Sequence, residues 1–235
     1  RPTINRIELV IGGWGDPSFS NIKNLISTNG TGVSSILYKN FQALKNATGA
    51  DAIQYDDEQT YDVSSAVAFG NMIAGLGMKV TFVPYTDQSF WVSVKSQLGT
   101  NVDAIYLQCY DGGAGNDPAA WNSAFGGFKV YPGLWGNTDT PPSVTSKMRN
   151  WQQTLGITGG FMWLNGGLPN DAAKWAQALA YGLEPLNGLI AEDFATNYVG
   201  TGFTGNEGFG FGAWTLNTSG GGSYINGGTS PLFGI

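Results

Sequence analysis

Asp51-Ala52-Ile53-Gln54-Tyr55-Asp56-Asp57-Glu58 is the stretch on which the reading of this chain turns. Successive side chains of a β-strand point to opposite faces. Gln54, Asp56 and Glu58 therefore share one face, and Ile53, Tyr55 and Asp57 share the other. Polar residues at alternating positions near a strand's C-terminal end are expected where a barrel opens towards its substrate. Two like charges this close oppose joint ionisation, so one carboxyl of the Asp56–Glu58 pair is expected to keep its proton to higher pH. That proton is what a general acid needs. Asp57 points away from the cleft and reads as structural, hydrogen-bonded behind the barrel.

Outward from this stretch, short apolar runs alternate with longer helical ones. Strands are expected at residues 6–12, 51–56, 79–85, 104–110, 128–135 and 159–164. Amphipathic helices are expected at residues 33–47, 63–76, 88–98, 119–125, 143–155 and 172–183. Asp62 is placed to cap the second of these helices. Asp117-Pro118 sets a capping acceptor before a proline at the first helical position of the fourth. Strands that alternate with helices in this way imply βα units and a parallel sheet. Six such units favour an α/β barrel of the (β/α)8 TIM type over a doubly wound sheet, which stays open as the alternative. Residues 1–183 hold the recognisable βα units, and residues 184–235 form a glycine-rich tail. That tail reads as a packed extension, as a source of one or two barrel strands, or as a processed end.

The 235 residues suit a single barrel domain. Only 12% are charged, against about 25% in an average domain, and glycine, serine, threonine and asparagine abound, a composition that suits an extracellular protein. The sequons at Asn29, Asn46 and Asn217 point the same way, so a secreted glycoprotein trimmed at Arg1 is expected. A net charge of −6 argues against nucleic acid or an anionic membrane as partner. No apolar stretch approaches the roughly 18 residues of a membrane span. The lone Cys109 allows no internal disulfide and reads as a buried, inert thiol. Histidine is absent, which excludes Ser-His-Asp and Cys-His mechanisms and histidine-held metals. Acid–base chemistry falls to carboxylates, tyrosine or lysine, and no metal or cofactor is implied.

Residues 51–58 resemble the signature D-x-x-D-x-D-x-E of glycoside hydrolase family 18, which lies on the fourth barrel strand. The doubled acid Asp56-Asp57-Glu58 is closer to the endo-β-N-acetylglucosaminidase branch than to chitinases. Four companions follow the family's order. Ile11-Gly12-Gly13-Trp14 resembles the S-x-G-G strand before the signature, and Val83-Pro84-Tyr85 the strand after it. Gln108-Cys109-Tyr110-Asp111 resembles the Q-x-Y-[DN] of the sixth strand. Gly159-Gly160-Phe161-Met162-Trp163 resembles the last, whose tryptophan floors the cleavage subsite. Two departures stand out. Gln54 occupies the place of the family's middle aspartate. Only ten residues precede the Gly-Gly segment, where two strands are usual, so a tail that supplied them would make the chain circularly permuted.

The resemblance implies retaining, substrate-assisted hydrolysis of β-1,4 linkages next to N-acetylglucosamine, in N-glycan cores or chitin. It implies that Glu58 protonates the glycosidic oxygen, while Asp56 orients the substrate's acetamido group. Tyr110 would donate to the acetamido oxygen, with Gln108 on the same strand face and Trp163 stacked on the sugar. Gln54, Tyr85, Asp111 and Trp14 complete the expected substrate-binding set. Trp14, Tyr85, Trp91 and Trp135 suit a sugar cleft and the barrel wall equally. The short segments 112–117 and 136–142 predict an open, shallow cleft. A sugar-binding barrel without catalysis is the competing class: retention of Asp56 and Glu58 favours an enzyme, and Gln54 favours the binding protein.

Overall fold

The computed structural model describes residues 6–163 and 172–184, together with the backbone of two short strands at 214–217 and 224–227. Its first strands are β1 (Glu8–Gly12), β2 (Ala52–Asp56), β3 (Lys79–Phe82), β4 (Val102–Gln108), β5 (Val130–Trp135) and β6 (Phe161–Trp163). They form one sheet in the order β1-β2-β3-β4-β5-β6, and β1 to β5 pair parallel. A doubly wound sheet would reverse its order at a switch point. Sequential order steps in one direction throughout, and with right-handed crossovers such a sheet carries its crossover helices on one face, as a barrel wall does. The chain is therefore α/β, with parallel strands in barrel order.

The tail contributes β7 (Trp214–Asn217) and β8 (Tyr224–Gly227), which pair antiparallel with each other in a sheet of their own. These two are therefore not the barrel strands that one reading expected the tail to supply.

The helices are α1 (Ser18–Asn29), α2 (Ile36–Thr48), α3 (Val63–Gly75), α4 (Gln88–Leu98), α5 (Pro118–Ala124), α6 (Pro141–Leu155) and α7 (Ala172–Leu183). Six match the sequence-based expectation to within a few residues at each end. The helix α1 does not. Its sequence Ser-Phe-Ser-Asn-Ile-Lys-Asn-Leu-Ile-Ser-Thr-Asn is rich in poor helix formers, and no side chain caps its N-terminus. Packing of its buried Phe19 and Ile22 holds it instead. No described helix is long and apolar enough to cross a membrane.

The described chain divides into two compact units, Arg1–Leu134 with Gly159–Phe161, and Trp135–Thr158 with Met162–Ile235. In the first, Ile53 and Tyr55 of β2 are fully buried beneath the helices, as the face assignment requires. The Tyr55 ring stacks on Phe69 of α3 at 5.3 Å and meets Phe19 of α1 edge-on at 5.2 Å. Phe82 of β3 packs on Trp91 of α4 at 5.0 Å, and Trp91 is fully buried, so it belongs to the wall and not to a cleft. In the second unit, α6 and α7 pack together: Thr145 Oγ1 donates to the carbonyl of Ala178, and the Arg149 guanidinium to that of Tyr181.

Both expected caps form. Asp62 accepts from the Ser65 amide at 2.9 Å, and Asp117 from that of Ala119 at 3.1 Å. Lys23 of α1, followed by the Ser65 amide, holds the Asp62 carboxyl down to about 2. Its stabilisation is present above the unfolded carboxyl value of about 3.9 and lost as pH falls towards 2. Asp62→Ala is expected to lower the unfolding free energy by about 1 kcal/mol at neutral pH. The deficit against the parent should shrink between about pH 4 and pH 2 in urea titrations.

Candidate active site

The C-terminal ends of β1 to β4 bring together most of the residues singled out in the sequence. The pair Gly12-Gly13 ends β1 directly against Asp56. The Gly13 amide donates to the Asp56 carbonyl at 2.7 Å. Gly12 has φ +96°, and a Cβ there would lie 2.2 Å from the same carbonyl oxygen, so only glycine fits. A Cβ on Gly13 would stand 3.8 Å from Asp56 Oδ2. That is ordinary van der Waals contact, so Gly13 is set by its φ of +121° and not by crowding.

Asp56 and Glu58 share a third group, Gln108 of β4. Its amide Nε2 lies 3.1 Å from Asp56 Oδ1, 3.0 Å from Glu58 Oε1 and 3.1 Å from the Val83 carbonyl. Two amide hydrogens serve three acceptors, so at least one is shared. Gln108 is 7% exposed, and these bonds satisfy a nitrogen that burial would otherwise penalise. Burial, and then the charge and hydrogen bond of Glu58, push the Asp56 carboxyl up to about 7, while the Gln108 amide draws it down. Burial and mutual repulsion thus let the pair keep a proton to higher pH than an ordinary carboxyl does.

Tyr110, two residues beyond β4, is buried, and its ring lies edge-on to Phe161 at 6.1 Å. Burial, followed by the charges of Asp56 and Glu58, holds its phenol well above the ordinary range, so it is a donor beside the carboxylates. Tyr85 follows β3, and its ring covers Gly112, where a Cβ would come within 2.8 Å of Cδ2. Asp111 is exposed, has φ +45° and opens a short 3-10 turn; no bond joins it to Glu58. Trp14 is 91% exposed, so it fills no wall. Trp163 belongs to the second unit, where its ring packs on Trp135 at 4.9 Å.

Gln54 lies on the face of Asp56 but turns to a different partner. Its Nε2 donates to Glu8 Oε2 at 3.4 Å. Glu8 also accepts from Thr81 at 2.7 Å, from Tyr106 at 2.9 Å and from Arg6 at 2.5 Å. This polar layer was missed in the sequence, although an acid inside the apolar run Ile7–Ile11 was its signal. Asp57, 2% exposed, is structural as expected. Its carboxylate accepts from the amides of Gln59, Thr60 and Tyr61 at 3.2, 2.8 and 2.9 Å. Asn116 was also missed: its amide donates to the carbonyls of Tyr85 and Gln108 at 2.9 and 2.7 Å. Cys109 is partly buried and packs against the core of the first unit.

Asn29 and Asn46 are exposed at the ends of α1 and α2. The side chain of Asn217 lies outside the described residues. Among those residues no cluster of three metal-ligating side chains occurs.

No protein-family model matches the chain, nor does any curated protein. Similar solved structures include a D-psicose 3-epimerase with D-tagatose from Clostridium cellulolyticum H10, 11% identical, covering 67% of this chain and 70% of that one at a TM-score of 0.44. A sugar phosphate isomerase/epimerase from Parabacteroides distasonis is also 11% identical, covering 76% of this chain and 72% of that one at a TM-score of 0.42.

Because the Asp56 carboxyl is raised in the folded state, the folded protein holds a proton that the unfolded chain has released above about pH 4. Stability from this group is full below that point and is lost as pH rises through about 7. Asp56→Asn removes the titration. Relative to the parent, the variant's urea midpoint should therefore rise between about pH 4 and pH 8; a constant difference would contradict the assignment.

Proposed function

We propose that the chain is a retaining glycosidase. It would cleave β-1,4 linkages next to N-acetylglucosamine, as an endo-β-N-acetylglucosaminidase on N-glycan cores or as a chitinase. The observation that carries this reading is the pair of carboxylates bridged by Gln108, with a raised proton affinity on Asp56 and the Tyr110 phenol beside them.

The pair keeps one proton up to about pH 7. In the free protein the carboxyls hold it between them. A bound acetamido group would offer its N–H to Asp56 and so stabilise Asp56 as the carboxylate, which leaves the proton on Glu58. Glu58 then gives it to the glycosidic oxygen as the bond from that oxygen to the anomeric carbon breaks. The acetamido oxygen attacks the anomeric carbon, and Asp56 balances the positive charge that develops on the resulting ring. Tyr110 holds the acetamido oxygen on line. Water later opens the ring and returns its proton to Glu58. Trp14, exposed one residue beyond Gly13, would offer an apolar face to a neighbouring sugar.

The fold that accompanies this chemistry is the closed eight-stranded barrel. The outer edge of β1 suits a further strand. Ile7 and Val10 are 44% and 56% exposed there, beside an apolar cavity of about 450 Å³ lined by Leu9, Ile11, Ile22, Leu25, Phe41 and Leu44. The glycine-rich tail is the candidate to supply it. A secreted, glycosylated protein accords with the exposed Asn29 and Asn46.

A second reading, a sugar-binding barrel without turnover, is favoured by Gln54. Its amide serves Glu8, and it offers Asp56 no second acid.

Mass spectrometry of products from a high-mannose glycoprotein and from chitin oligomers separates the readings. An endoglycosidase leaves one N-acetylglucosamine on the protein, and a chitinase shortens only the oligomers. Glu58→Gln is expected to lower the rate by at least about 100-fold. The parent's kcat/KM should decline above about pH 7, as the pair loses its proton. Sugar binding with no cleavage would establish the second reading.

A further inference from the structure

Strand β3 ends at Phe82 and β4 at Gln108, and single bonds continue the ladder between them. The Gln108 backbone amide donates to the Pro84 carbonyl at 2.9 Å. Beyond that rung a side chain takes over. Asn116 Nδ2 donates to the Tyr85 carbonyl at 2.9 Å and to the Gln108 carbonyl at 2.7 Å. A side-chain amide carries two hydrogens, so both are spent on the two strand ends. The Asn116 oxygen accepts from the Trp121 indole of α5 at 3.1 Å, which fixes the way round that the amide lies.

The loop is shaped for this reach. The Gly113 amide donates to the Tyr110 carbonyl at 2.8 Å, and the Asn116 amide to the Gly113 carbonyl at 2.9 Å. Gly113 is buried, and a Cβ on it would stand 2.2 Å from the Gln108 carbonyl oxygen and 2.8 Å from Asn116 Nδ2. Only glycine there lets Asn116 meet the strand. Gln108 is thereby held at three points: its backbone amide on Pro84, its carbonyl on Asn116, and its side chain on the Val83 carbonyl. Its contacts with the carboxylates are 3.1 Å to Asp56 and 3.0 Å to Glu58. A displacement of the Gln108 backbone by about half an ångström would carry at least one of them out of hydrogen-bond range.

We propose that Asn116 is a positioning residue for the carboxylate pair: by pinning the Gln108 carbonyl to the end of β3, it holds the Gln108 side-chain amide between Asp56 and Glu58. This role takes the pair as the reactive centre, on the glycosidase reading above. The Gln108 amide draws the Asp56 carboxyl down, against burial and the charges of Glu58 and Asp57. Tyr110, from the β4 side, faces the pair as a neutral phenol. Releasing Gln108 therefore moves the titration of the pair to higher pH.

The test follows the two carboxyls by carbon-13 NMR across pH in the ligand-free protein, with Tm measured alongside. It compares the parent, Asn116→Ala and Asn116→Ser, each also in a Gln108→Met background. Asn116→Ala should raise the upper midpoint of the pair by about half a pH unit. Asn116→Ser, which keeps one donor and serves where the alanine variant does not fold, should raise it by part of that. Neither should add a shift once Gln108 is replaced. A lowered Tm with the parent's titration would make Asn116 a loop anchor only and overturn the role. An equal shift in the Gln108→Met background would overturn it too, because the effect would not pass through Gln108. Turnover of chitin oligomers and of a high-mannose glycoprotein is read separately. There Asn116→Ala should lower kcat about tenfold with KM little changed, and its alkaline limb should move with the midpoint. A parent that cleaves neither substrate, with the titration shifting as expected, would remove the glycosidase reading and leave the hold of Asn116 on the pair in place.

Discussion

A single amide nitrogen stands between the two carboxylates of the cleft, and the arrangement around it depends on that bridge. Bringing Asp56 and Glu58 together in a partly buried place opposes their joint ionisation. Gln108 offsets part of that cost by donating to both, and its third contact, to the Val83 carbonyl, fixes the amide between strands β2 and β4. A charged donor in its place would hold both carboxyls ionised and remove the proton. A neutral amide orients them and leaves one protonated. A lysine or arginine in the place of Gln108 would give a more stable but proton-poor pair.

Side chains can be held this way only if the strand ends that carry them are fixed. Three clamps do so, and each acts on backbone. The Gly13 amide ties β1 to the Asp56 carbonyl. Asp57 gathers three successive amides into the turn after Glu58. Asn116 reaches back to the carbonyls of Tyr85 and Gln108, and its own oxygen accepts from the Trp121 indole at 3.1 Å. Loops that would otherwise be the least ordered part of a βα unit are thereby anchored to sheet and helix.

Much of this was legible in the sequence because alternation along one strand is a local property. Residues 53 to 58 sort into the faces that the periodicity dictates, and the Asp62 and Asp117 caps follow from residue type and position. What was not legible depends on partners distant in sequence. Glu8 looks anomalous in β1 until Thr81 and Tyr106 meet it from strands more than seventy residues away. Asn116 looks like loop polarity until the carbonyls it serves are placed. The helix α1 has neither a cap nor good helix formers, so only its packing reveals it. The Gln108 amide that joins the two carboxyls was likewise hidden, because it comes from a strand some fifty residues away.

Among the described residues, the positive-φ residues other than glycine are Tyr61, Asp87 and Asp111, and they follow β2, β3 and β4 respectively. Strain is thus collected at one end of the sheet, the end that carries the carboxylates. Two of the three have local explanations. Aspartate tolerates the left-handed region. Asp87 also caps α4 through the Phe90 amide, and Asp111 opens a tight 3-10 turn over Gly112-Gly113. Tyr61 has neither excuse: it is bulky, it caps nothing, and its ring is held by Phe90. The Asp57 clamp is what forces it there, since accepting three consecutive amides curls the segment tightly behind Glu58. The doubled acid of the sequence thus has two separate jobs. Asp56 lies on the face of Glu58 and Gln108 and shares a proton with Glu58. Asp57 is buried and sets the path of the loop through the amides of Gln59, Thr60 and Tyr61.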